Sequence, residues 1–328
     1  MWRQIGKLFI KFIGIVLPVF VALSLYCALF PMWYMDGEYA MYRQQKDYIR
    51  ENGDGSRVVI IGDSRAKAGF IPDELSDDCY NLALGGTTPI EGYYTLKEYL
   101  EHHPAPEYVV VAYAPKHWIV ADNFWTRTVY FHMMERADIQ EVFETAETYQ
   151  DNKDILIDNY KLEYIMYQFY MPNKYCTALK NAGFIGRYEF NEYKYEQMIL
   201  ERGHNYFGTA NVSSGVNVEV KSYDDFDSSD VITFYMQKLI ELCEKNSIRM
   251  VVEQLPINET SGTRMKNDFQ KHYCDYMLAL ANANPNVEFH SNFRIYPNEY
   301  FGDPSHLNEA GAMAWCEEMK ACYPDIFY

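Results

Sequence analysis

Five short apolar runs, alternating with stretches of helical period, constrain this chain more than any other feature. They are "RVVIIG" (57–62), "CYNLALGG" (79–86), "EYVVVAYAP" (107–115), "IRMVVEQLP" (248–256) and "VEFHS" (287–291). Each is short and apolar and is bounded by Gly, Pro or polar residues, the pattern of a buried strand. The stretches "IEGYYTLKEYLEHH" (90–103), "VITFYMQKLIELCEKNS" (231–247), "HYCDYMLALANAN" (272–284) and "NEAGAMAWCEEMKACY" (308–323) instead repeat their apolar residues every three to four positions. Pro104 and Pro106 close the first of these, and Asn308 is a candidate N-cap for the last. Strands buried on both faces that alternate with helices predict an α/β three-layer sandwich around a central parallel sheet. In such a sheet the working edge lies at the carboxyl ends of the strands. Ser64, Gly85, Gly86, Asp303 and His306 all fall there.

The N-terminal segment predicts one transmembrane helix. Arg3, Lys7 and Lys11 precede an uncharged run from Ile13 to Phe30, about the length that crosses a bilayer's hydrocarbon. Trp33 and Tyr34 sit where an interfacial belt lies, and Asp36 and Glu38 follow. The positive-inside rule then gives a cytoplasmic tail (1–11), an anchor (12–34) and an extracytoplasmic remainder. A cleaved signal peptide is the rival reading, but the run is long for one and no small-x-small site follows. A polar juxtamembrane linker (35–56) leads to a domain over 57–328. Within it, residues 119–230 lose the alternation and are rich in Tyr, Phe, Asn and Asp, which predicts an insertion or cap whose aromatics suit sugar stacking.

The formal net charge of −17 argues against a nucleic-acid partner and against wide contact with an anionic surface. Of seven cysteines, Cys27 lies in the apolar run. The other six permit disulfides, with Cys316 and Cys322 a candidate pair. No C-x-x-C is present, so a zinc or redox site of that type has no support, and no metal or cofactor is among the expectations.

The chemistry gathers around "IGDSR" (61–65). Acyl transfer by serine needs a hydroxyl, a base for its proton, an acid to orient the base, and N–H groups aimed at the oxyanion. "GDPSHLNEAG" (302–311) holds Asp303 and His306 three positions apart, so one turn presents both on the same side. His306 then serves Ser64 while Asp303 holds the far ring nitrogen. Ser64 and Gly86 supply N–H groups. Arg65, beside the serine, is expected to form a solvated salt bridge rather than to bind an anionic substrate.

In these blocks the chain resembles the SGNH (GDSL-like) hydrolases. "IGDSR" is similar to the family's first block and "NLALGG" to its second, whose glycine joins the oxyanion hole, here Gly86. "DPSHLNEAG" is similar to its last block, with Asp303 and His306 at the matching positions. The likeness covers residues 57–118 and 231–320. It departs at the third block, where "YAPKHW" stands instead of Gly-x-Asn-Asp. Lys116 falls at the position of the oxyanion-donating Asn and His117 follows, so either is a candidate donor, though both read more simply as surface residues. The resemblance implies a membrane-anchored branch, similar to proteins of teichoic-acid D-alanylation and of alginate and cellulose acetylation. It also implies a membrane-bound O-acyltransferase partner and a polysaccharide acceptor. Two alternatives stay open: a carbohydrate O-acyl esterase, and a non-catalytic scaffold of a polysaccharide-modifying membrane complex.

Overall fold

The computed structural model describes residues 2–150, 153–290 and 293–328. It divides into two units, Met1–Ala40 with Asp158–Tyr195, and Met41–Ile157 with Glu196–Tyr328.

The larger unit is α/β. Its central sheet contains β1 (Val58–Gly62), β2 (Cys79–Asn81), β3 (Tyr108–Ala112), β4 (Arg249–Val252) and β5 (Val287–Phe289). The order is β2-β1-β3-β4-β5, and every pairing is parallel. Each predicted strand is present and shorter than its apolar run. Ser291, the last residue of the fifth run, lies outside the described residues.

Helices cover both faces. On one, Val58, Ile60, Val110 and Val251 pack with Phe70, Leu75, Trp315 and Met319. Phe70 follows α1 (Ser64–Gly69), Leu75 belongs to a helical turn, and Trp315 and Met319 lie on α2 (Glu309–Cys322). The other face carries α3 (Pro89–His102) and α4 (Asp230–Lys245), which pack on each other. Gly92 of α3 brings backbone against Ile61 and Tyr113, leaving no room for a Cβ. Caps fix where the helices start. Thr88 and Glu91 close a capping box on α3, and Asn308 accepts from Gly311 N–H at 3.0 Å on α2.

All seven cysteines are free, so Cys316 and Cys322 are not paired. They lie six residues apart on one helix, where 100° per residue turns them to different faces. Cys316 is buried with its thiol on Ile71 N–H, and Cys322 is exposed.

In the smaller unit the helix Trp2–Leu29 contains Lys11–Leu29, a stretch long and apolar enough to cross a membrane. It ends before the expected limit of residue 34, because Pro31 has no N–H to continue it and starts a separate turn, Pro31–Tyr34. Part of the expected insertion, the helices Tyr160–Gln168, Pro172–Ala182 and the start of Tyr188–Leu200, belongs to this unit.

Candidate active site

The turn after β1 is built around Asp63. Gly62 leaves no space for a side chain, since a Cβ there would lie 2.1 Å from Ala112 O. Asp63 then caps α1, its Oδ1 accepting from Arg65 N–H at 2.8 Å and its Oδ2 from Ala114 N–H at 2.8 Å. One buried carboxylate thus ties the turn to the exit of β3 and presents Ser64 as the first helical residue.

The histidine arrives on a short loop closed by an antiparallel bridge between Phe301 and Leu307 and by Gly302 N–H on His306 O. Asp303 Oδ1 accepts from the N–H groups of Ser305 and His306, both at 2.8 Å. Its Oδ2 lies 2.7 Å from His306 Nδ1, and His306 Nε2 lies 2.8 Å from Ser64 Oγ. With the ring proton on Nδ1, the imidazole donates to Asp303 and accepts from the serine hydroxyl. Ser64, His306 and Asp303 therefore form one hydrogen-bonded line although the first two stand 242 positions apart. Phe207 packs on the imidazole with ring centroids 5.0 Å apart. Burial opposes ionisation of Asp303. The His306 ring and the two backbone N–H groups outweigh it and hold the carboxyl below its ordinary pKa.

The Gly85-Gly86 turn is pinned next to the serine. Leu84 N–H and Thr87 Oγ1 both donate to Gly62 O, at 3.0 and 2.8 Å. Gly86 has φ +77°, a conformation that favours glycine. The side chain lying across it is that of Asn123, whose Cγ would sit 2.7 Å from a Cβ at position 86. Lys116 instead pairs with Asp122 at 2.7 Å. His117 is buried rather than on the surface, with Nε2 3.5 Å from Asp63 Oδ2. Burial lowers its pKa against the pull of Asp63. Asn123 was not among the residues read from the sequence. The signal that could have found it is an amide beside Asp122 in the loop leaving β3, just before the π-helical turn Phe124–Val129.

Arg65 is not solvated. It is buried and paired through Nη2 with both carboxylate oxygens of Glu219, at 2.7 and 2.6 Å. Lys67, on the same short helix, donates to Ala83 O and Gly203 O, both at 2.8 Å. The segment 203–219 is thus held at each end by a basic residue of α1. Between those ends it packs on the histidine loop through Gly208 against Gly302 and Gly215 against Pro304.

Lys67 is fully buried without a carboxylate, and desolvation lowers its pKa to about 7. The unfolded chain keeps this proton to about pH 10.4. Between those values the unfolded state holds more protons, so stability rises with pH, and below pH 7 the full cost of the buried charge remains. Denaturant titrations in detergent should show wild type gaining on the order of 2 kcal/mol over Lys67→Met from pH 7 to pH 9. Parallel curves for the two proteins would exclude a neutral Lys67.

A cleft of about 590 Å³, lined by Tyr206, Asn211, Glu299, Asn308 and Glu309 among others, adjoins the loop that carries His306. Among the described residues, no group of three or more His, Cys, Asp and Glu side chains is arranged to hold a metal ion. The chain matches no family model and no curated protein sequence.

Proposed function

We propose that the larger unit is an SGNH-like serine acyltransferase of the cell envelope, tethered by its N-terminal helix with the N-terminus in the cytoplasm. The observation that carries this reading is the unbroken line Ser64 Oγ–His306 Nε2, His306 Nδ1–Asp303 Oδ2. Ser64 Oγ attacks the acyl carbonyl as its proton passes to His306 Nε2, and Asp303 stabilises the imidazolium. The proton then leaves with the departing group, giving an acyl-serine. An acceptor hydroxyl, deprotonated by His306, attacks that ester, so the acyl group moves to the acceptor and Ser64 is regenerated. The N–H groups of Ser64 and Gly86 receive the oxyanion, with the Asn123 amide as third donor in place of Lys116 or His117.

The acceptor is a polysaccharide hydroxyl and the acyl group an acetyl. The cleft beside the histidine loop supports the first choice, because its Glu299 and Glu309 carboxylates and Tyr206 suit sugar hydroxyls. The acyl donor is delivered by a membrane-bound O-acyltransferase.

The full chain in detergent, given an activated acetyl ester with and without an oligosaccharide, tests this. Acetyl transfer to the sugar, lost on Ser64→Ala and reduced about a hundredfold in kcat by Asn123→Ala, is the expected result. Release to water alone, unchanged by any sugar, would make it an esterase. Turnover that survives Ser64→Ala would remove the acyl-serine altogether.

A further inference from the structure

We infer that the turn joining the helices Pro172–Ala182 and Tyr188–Leu200 is a second membrane contact, with Phe184 and Ile185 seated among the lipids of the outer leaflet. The inference rests on the reading that Lys11–Leu29 crosses a membrane, and it concerns the smaller unit alone.

The turn is tied to the far end of that stretch. Tyr26 Oη donates to Phe184 O at 2.7 Å, and the two rings lie 6.0 Å apart. Just beyond, Arg187 N–H donates to Trp33 O at 3.1 Å. Asn191 Nδ2 donates to Met32 O and Met35 O at 2.8 and 2.9 Å. Tyr26 is three residues inside Leu29, about 4.5 Å along the helix axis. A segment bonded to Tyr26 therefore lies at the depth where hydrocarbon meets headgroups whenever the stretch is embedded.

The side chains at that depth suit lipid. Phe184 and Ile185 are 49% and 60% exposed, neighbouring apolar residues that the smaller unit leaves half open. Phe184 has φ +71°, a strained conformation for an aromatic residue. Tyr26, Phe30, Trp33 and Tyr188 gather next to the turn, the composition of an interfacial belt. The backbone also suits a water-poor layer. Phe184 N–H reaches Leu179 O, Gly186 N–H reaches Ala182 O, and the Tyr26 hydroxyl and Tyr188 N–H occupy the carbonyls of Phe184 and Ile185. Continuity with the spanning stretch selects lipid rather than a protein partner as the occupant.

The test uses the full chain in phosphatidylcholine vesicles, with Cys176, Cys274 and Cys322 replaced by Ser. A fluorescent reporter is placed on Ile185→Cys, an exposed site that leaves the fold intact, and in a parallel sample on Val19→Cys within the apolar stretch. A nitroxide on the upper acyl chain should quench most of the emission at 185, and aqueous iodide should quench little. Iodide quenching at 185 with nitroxide quenching retained at 19 would overturn the inference and leave the anchor standing. Protection at 185 from both quenchers would mean protein cover, from a second copy of the chain, and would overturn it as well. Loss of nitroxide quenching at both positions would remove the anchor and the inference together.

Discussion

Ser64→Ala should lower acyl turnover by about a thousandfold to a millionfold while leaving the melting temperature nearly unchanged. The hydroxyl makes one hydrogen bond, to His306, and the Asp63 contacts that shape the turn do not involve it. Asp303→Asn should be almost as damaging, about ten-thousandfold, because an amide can present its NH2 to Nδ1 and favour the tautomer that cannot accept from Ser64. The combined variant should be little worse than Ser64→Ala, since the three groups act as one unit. Losses that simply multiplied would mean that the line does not work as a relay of serine, base and orienting acid. The lowered Asp303 pKa also bears on stability in acid. Ionisation of Asp303 supports both the fold and the orientation of His306 above its unfolded value, near pH 3.9, and that support is lost as pH falls through the depressed folded value.

The largest expected effect on stability is at Glu219. Replacing it with Gln leaves the Arg65 guanidinium buried without its countercharge, at a cost of about 3–5 kcal/mol. For a protein of this size that is a fall in melting temperature of roughly 6–20 °C. Arg65→Met with Glu219→Leu should recover most of the loss, because removing both charges also removes the desolvation cost. Activity should not recover in step. The pair also holds one end of the 203–219 segment against the histidine loop, which a generic apolar contact does not reproduce. Thermal scans of the single and double variants decide this. A Glu219→Gln protein that melts with wild type would show that Arg65 finds another partner.

These contacts differ in how far they could be read from the chain. The strands were legible because a strand buried on both faces writes itself as a continuous apolar run, and each of the five runs holds a strand of the sheet. The capped helix start at Asn308 was equally local, set by its side chain and an N–H three residues on. The Cys316–Cys322 expectation failed because spacing alone ignored the helix that turns the two residues apart. Arg65 was misplaced for the opposite reason. Its partner is 154 residues away in a segment without regular pattern, so nothing near Arg65 records that it is buried. Asn123 was missed because what sets it across Gly86 is a contact between two loops, which no periodicity encodes.

The sequence by itself determined the parallel sheet, its edge and the residue types that gather there, because short-range pattern and burial dictate local structure. It also determined the apolar N-terminal stretch, since length and the absence of charge are properties of the chain. Only the tertiary structure decided that Ser64 and His306 meet at 2.8 Å, that Glu219 neutralises Arg65, and that the Phe184 turn is bonded to Tyr26. Those contacts join residues more than a hundred positions apart. Their geometry is fixed by how whole elements pack, and a linear pattern carries no record of that.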